Sequence, residues 1–193
     1  MTLVLSILVF ASLLPALTAK GTVYTRWGNS GCGYTAATVY SGYMGGSWYT
    51  DPGAGANYLC LPPNPETSNI ERPSDYSHLG GTEYKVSNRP ERDQDALCAV
   101  CFVDDRSTNI MVPGTNKCPS GWSSEYTGFL MSGYRGHGAS TEFICVDSKM
   151  ESRVGSGTDQ GGRLLYMVAS ICGSLPCPPY LDKNILQCVV CTK

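Results

Sequence analysis

Ten cysteines, all of them beyond residue 19, constrain this chain more than any other feature. Before them stands MTLVLSILVFASLLPALTA, a stretch without a charged side chain, a Cys or a Gly. Leu3 to Leu14 is apolar, Pro15 breaks the run, and small residues lead to Ala19. Residues 1–19 therefore read as a signal peptide: the apolar run is too short to span a ~30 Å hydrocarbon core, and it ends in a cleavable stretch. Its only positive charge is the amino terminus, so an uncleaved anchor is the alternative. No later run is long and apolar enough to cross a bilayer as a helix. The mature chain is expected to be secreted, extracellular and without a membrane partner.

That compartment decides the chemistry of the thiols. Outside the cell, cysteines at this density pair as disulfides. Each bond that closes a moderate loop contributes on the order of 2–4 kcal/mol. Two C-x-V-C-type pairs stand out, Cys98/Cys101 and Cys188/Cys191. A zinc ribbon brings its pairs within ~15–20 residues of each other, and these are far wider apart. A thioredoxin-like site needs its C-x-x-C at a helix N-terminus, whereas both pairs lie in valine-containing, strand-like runs. They read as structural disulfides, with no metal and no cofactor. Positions i and i+3 of a strand face opposite ways, so the two cysteines of each pair should bond in opposite directions.

The cysteines also recur in order. Cys32, an SGY at 41–43, Cys60 and the 98/101 pair are followed by Cys118, an SGY at 132–134, Cys145 and the 188/191 pair. This order suggests an internal duplication, with pseudo-repeats over 20–110 and 111–193 of one domain spanning 20–193. The alternative is a chance likeness between β-rich segments. On the duplication reading, Cys32 and Cys60 bond the 98/101 pair, and Cys118 and Cys145 bond the 188/191 pair. Cys172 and Cys177, outside the scheme, bond each other. Which cysteine of each pair meets which partner stays open.

The intervening sequence is β-rich. Short runs at 22–27, 37–43, 57–61, 82–86, 98–103, 109–112, 125–131, 141–147, 164–170 and 186–192 are divided by Gly, Pro, Asn and Ser clusters. They predict an all-β, disulfide-rich domain of about ten short strands, its two repeats packed as a sandwich. A short helix is allowed at 148–154. Pro62 to His78 reads as a long loop.

Several functions are disfavoured. A net charge of −2 without a basic run argues against nucleic acid as a partner. No G-x-S-x-G, H-E-x-x-H, Walker or G-x-G-x-x-G motif occurs, and the chain reads as no enzyme. His78 and His137 read as exposed loop histidines. A hydrolase using carboxylates such as Asp104 or Glu125 is the least favoured reading. Asp93, Asp95, Asp104, Asp105 and Asp147 lack EF-hand spacing and read as solvated turn residues rather than Ca²⁺ ligands. Twelve Tyr and three Trp are more suggestive. Tyr40, Tyr43, Trp48 and Tyr49 fall in one Gly-rich stretch and form a candidate carbohydrate-binding loop, since exposed rings stack on sugar faces. The competing reading places these rings in the core.

VYTRWGNSGC (23–32), VYSGYMGGSWYT (39–50) and GANYLCLPPNP (55–65) resemble the start of the apextrin C-terminal domain, ApeC. So do GTEYKV (81–86), CAVCFV (98–103), MVPGTNKCPSGWSSEYTGFLMSGY (111–134), FICVD (143–147), GSLPCPPY (173–180) and CVVCTK (188–193). The likeness covers nearly all of the mature chain and is greatest to secreted, single-domain invertebrate members labelled short-chain-collagen-like. It concerns their noncollagenous part only, since no G-X-Y tract is present. The chain departs from the pattern at Cys32-Gly33, often Cys-Pro in the family, and lacks a Trp after the Cys60 loop. The resemblance implies a secreted, non-enzymatic extracellular-matrix component, of shell or mucus matrix for example. The alternative it implies is a recognition protein of innate defence that binds carbohydrate or peptidoglycan. The partners are accordingly extracellular-matrix polymers or microbial cell-wall glycans. Complete reduction of the secreted protein should add ten hydrogens to its intact mass; free thiols or stoichiometric zinc in the native protein would contradict the reading of the cysteines.

Overall fold

The computed structural model describes residues 20–53 and 55–193. The segment read as a signal peptide lies outside the described residues. Ten strands follow one another: β1 (Thr22–Trp27), β2 (Ala37–Gly46), β3 (Leu59–Leu61), β4 (Gly80–Tyr84), β5 (Leu97–Val103), β6 (Asn109–Pro113), β7 (Ser123–Ser132), β8 (Ile144–Asp147), β9 (Arg163–Met167) and β10 (Gln187–Thr192). The chain is all-β, and each β-rich run of the sequence contributes one strand. No helix forms at 148–154. Instead, Ser152 bridges Ala96, while Glu151 and Arg153 donate backbone N–H groups to Gly28 and Asp95. The segment runs extended because its donors are taken by neighbouring chain rather than by its own carbonyls. The proline-rich stretch after Pro62 is an exposed loop.

The strands form two five-strand units of the same design. In the first, β1 pairs β5, β5 pairs β2, and β2 pairs β3 and β4, all antiparallel. In the second, β6 pairs β10, β10 pairs β7, and β7 pairs β8 and β9, again all antiparallel. The registers agree residue by residue. Gly42 lies opposite Cys98 and Gly128 opposite Cys188. The β2 ladder skips Val39, and the β7 ladder skips Glu125. Gly28 N–H donates to Leu97 O at 2.8 Å, as Gly114 N–H does to Gln187 O at 2.8 Å. Tyr40 donates its hydroxyl to Cys60 O at 3.0 Å, as Tyr126 does to Cys145 O at 2.9 Å.

This register revises two details of the expected duplication. The counterpart of Ser41-Gly42-Tyr43 is Thr127-Gly128-Phe129, not the SGY at 132–134. The reason is steric: a Cβ on Gly42 would overlap the carbonyl of Leu61 in β3, and one on Gly128 would overlap the carbonyl of Val146 in β8. The units divide in the 104–108 connection, because residue 110 lies inside β6.

The disulfides repeat with the strands. Cys32–Cys101 and Cys60–Cys98 lace the first unit, Cys118–Cys191 and Cys145–Cys188 the second, and Cys172–Cys177 closes a small loop. Each C-x-x-C strand is held on both faces, as strand alternation requires. Cys98 accordingly packs with Met44, Tyr84, Val146 and Leu165, whereas Cys101 packs with Tyr24, Tyr126, Leu130 and Cys188. Five such bonds belong to an oxidising compartment.

The units join edge to edge rather than as separate sheets of a sandwich. β8 lies parallel to β1 at Trp27 and Val146, and β9 lies parallel to β4. These two seams close β7, β8, β1, β5, β2, β4 and β9 into a ring. The first seam also carries the Arg26–Asp147 ion pair at 2.6 Å, nearly sequestered from solvent. Gly42→Ala or Gly128→Ala should each lower stability by at least ~1–3 kcal/mol through backbone overpacking. Gly157→Ala, with open space at its Cβ position, should change it by under ~0.5 kcal/mol. Chemical denaturation of the three oxidised variants measures the difference.

Candidate functional site

The Gly-rich aromatic stretch does not act as one loop. Tyr40 and Tyr43 lie on β2 with exposed rings, Tyr40 tied to Cys60. Trp48 and Tyr49 lie beyond the end of β2, where the chain turns away. Tyr49 N–H donates to Gly162 O at 2.9 Å, and Ala139 N–H donates to Tyr49 O at 3.1 Å. These bonds seat Trp48 and Tyr49 between the GYRGHG turn and the start of β9. Gly161, at φ +79°, supplies the left-handed backbone that lets this segment run against the Trp48 ring.

The result is a continuous arc of rings. Trp48 and Tyr49 have centroids 6.2 Å apart, and Tyr49 lies 4.7 Å from His137. His137 stands 5.3 Å from Tyr134 and 5.8 Å from Tyr166, and Tyr134 stands 5.4 Å from Tyr166. The Arg135 guanidinium lies 5.8 Å from the Tyr134 ring. Tyr134 is exposed, and the other rings are half-buried. Two clefts flank the arc. One of about 510 Å³ has Trp48, Tyr49, His137 and Tyr166 on one wall and Lys85, Arg92, Asp93 and Asp159 on the other. The second, of about 690 Å³, runs from Tyr134 and His137 past Ser140 and Thr141 to Phe143 and Ile171. Both volumes fall in the range of small-ligand sites.

The charged wall is internally ordered. Lys85 Nζ meets Glu83 at 2.9 Å, Asp93 at 2.7 Å and Asp159 at 2.9 Å. Burial alone would pull the Lys85 pKa down, but hydrogen bonds from these three carboxylates outweigh it and hold the ammonium above its ordinary range. Lys85 in turn holds Asp159 below the usual carboxylate range. Burial pushes the Tyr166 phenol up and the His137 imidazole down, so both rings favour their neutral forms at the cleft.

The other acidic residues are dispersed. Asp95 pairs with Arg153, Asp105 with Arg106 and Asp147 with Arg26. Among the described residues no group of three or more His, Cys, Asp and Glu is placed to hold a metal. Glu125 sits in the β7 bulge with a fully buried side chain. It accepts from Arg106 Nη1 and Thr192 Oγ1, each at 2.6 Å, and from Tyr24 and Thr35 hydroxyls at 3.1 Å. These four bonds take up its acceptor capacity. Asp104 is exposed and away from the arc's lining. His78 lies apart from the arc, 2.7 Å from Asp51 and edge-on to Tyr76.

Of the residues singled out in the sequence, the structure thus gathers Trp48, Tyr49 and His137 and leaves Tyr40 and Tyr43 elsewhere. Tyr134 and Tyr166 complete the site. The repeated SGY at 132–134 was the available signal for Tyr134; Tyr166 lies in an ordinary strand run. No protein-family model matches the chain. Because the folded His137 pKa lies below its ordinary 6.5, the unfolded chain takes up the proton first as pH falls. This contribution to stability should be flat above that pH and decline below it. NMR titration of the His137 ring should give a midpoint under 6.5, and a midpoint at or above it would contradict the burial of this ring.

Proposed function

We propose that this protein is a secreted, non-enzymatic component of an extracellular matrix that holds polysaccharide on its aromatic arc. The observation that carries the reading is the arc itself: five rings from three separate parts of the chain, flanked by two clefts. Rings in such an array offer apolar faces to the C–H faces of sugars, while tyrosyl hydroxyls and the charged wall address sugar hydroxyls. Neutral His137 and Tyr166 suit an uncharged or weakly charged polymer. The resemblance to the ApeC family, carried by the block order of the sequence, agrees with a glycan ligand. Five disulfides suit a protein that works outside the cell.

The same arc supports the defence reading, in which the polymer is microbial peptidoglycan. Chitin, taken as the matrix polymer, and peptidoglycan both present β-linked amino-sugar chains, and retention on one but not the other separates the two sources. The oxidised protein should be retained by insoluble chitin, peptidoglycan or both. Tyr134→Ala and Tyr166→Ala should each weaken retention about 3- to 10-fold, the loss of one stacking ring. Tyr40→Ala should leave it unchanged. Absence of retention on both polymers by folded protein would overturn the proposal.

A further inference from the structure

The two units are alike, but their surroundings are not. On the first unit, the outer edge of β1 and the ring of Tyr58 are covered by the second unit. Val146 of β8 lies directly over Gly28, Tyr126 stands 6.2 Å from Tyr24, and Tyr126 donates its hydroxyl to Thr25 O. The register names the counterpart of every residue in this seam. On the covered side, Tyr58 corresponds to Phe143, Trp27 to Pro113 and Gly28 to Gly114. On the covering side, Tyr126 corresponds to Tyr40, Ile144 to Leu59 and Val146 to Leu61.

These counterparts lie at the surface, except Leu61, which is half-buried. Tyr58 is 4% exposed and Phe143 is 59% exposed. Tyr126 is 5% exposed and Tyr40 37%; Ile144 is 5% exposed and Leu59 40%. The place that Val146 and Ile144 fill on the first unit is a groove on the second, with the Tyr180 ring beside Gly114 at one end. It measures about 460 Å³ and is lined by Met111, Pro113, Leu130, Phe143, Tyr180 and Leu186. Among the described residues its strand, β6, pairs only with β10, and β3 pairs only with β2. One face of the seam is therefore repeated at one free edge and the other face at another. Neither has its partner strand among the described residues.

We propose that the groove along β6 receives the β3 face of a second copy of this chain. The contact repeats between molecules the seam that already joins the units within one. Leu61 enters the groove as Val146 enters over Gly28, β3 runs parallel to β6 as β8 runs parallel to β1, and Tyr40 covers Ile110 as Tyr126 covers Tyr24. The occupant is specified by the chain itself, because this chain carries the counterpart of the surface that fills the place. The ion pair Arg26–Asp147 has Val112 and Pro62 as its counterparts, so the new seam is apolar where the internal one is charged. Because the two faces differ, the contact is head to tail, and it propagates rather than closing on a pair. The rings of the arc take no part, although Phe143 also lines the far end of its second cleft, and the proposal stands whether or not the arc binds glycan.

Sedimentation of the oxidised mature protein over a range of concentrations tests this directly. The mean mass should rise past that of a dimer as concentration increases, and added salt should not reverse the rise. Phe143→Asp, which spoils the groove and leaves the β3 face intact, and Leu59→Arg, which spoils the β3 face and leaves the groove intact, should each be monomeric. Mixed together, they should form a one-to-one dimer and nothing larger, because each retains the face that the other lost. Tyr40→Lys replaces Leu59→Arg if that variant does not fold, with near-ultraviolet circular dichroism as the check. A wild type that remains monomeric would overturn the proposal. So would a dimer that never grows, or a pair of variants that fail to associate when mixed.

Discussion

The paired disulfides on β5 and β10 are the constraint on which the rest depends. Each of these strands lies between two others and carries a cysteine to either face, so one strand fixes the layers on both sides of it. A bond closing a loop of this kind contributes ~2–4 kcal/mol, and two of them approach the net stability of a whole small domain. The unit can therefore use short strands, much glycine and few large apolar residues. It can also leave a long proline-rich loop between β3 and β4 at the surface without loss of register.

The glycine at the centre of each long strand follows from the same arrangement. β2 and β7 must bond the C-x-x-C strand along one edge while the cysteine-bearing strand β3 or β8 crosses close by. Only a residue without a side chain fits where Gly42 meets Leu61 and Gly128 meets Val146. The skipped residue a few positions earlier, Val39 or Glu125, turns the strand so that both contacts form. In the second unit that bulge is occupied by a buried carboxylate satisfied by Arg106, Thr192, Tyr24 and Thr35. This ties the second unit to the first at the seam.

Strand positions were legible in the sequence because β-rich runs and turn chemistry alternate along it; the run at 22–27 coincides with β1. The cysteine partners were legible as groups, since the order recurs. The equivalence of the two SGY tripeptides was misleading, because a likeness of letters carries no register, whereas the close approach at Gly42 and Gly128 does. The ring closure was not legible, since it depends on the Trp27–Val146 and β4–β9 seams between distant segments. The arc was half legible: Trp48 and Tyr49 stand out in sequence, but their meeting with Tyr134, His137 and Tyr166 is a product of the fold. Tyr40 and Tyr43 share the same Gly-rich stretch, yet the strand carries them to another surface.

Mapping the disulfides in the secreted protein, by stepwise partial reduction and labelling followed by peptide sequencing, tests the central claim most directly. The account requires Cys60 on Cys98 and Cys32 on Cys101, with Cys145 on Cys188 and Cys118 on Cys191 as the matching set. A bond joining a cysteine of the first unit to one of the second, or a different nesting in the two units, would contradict it.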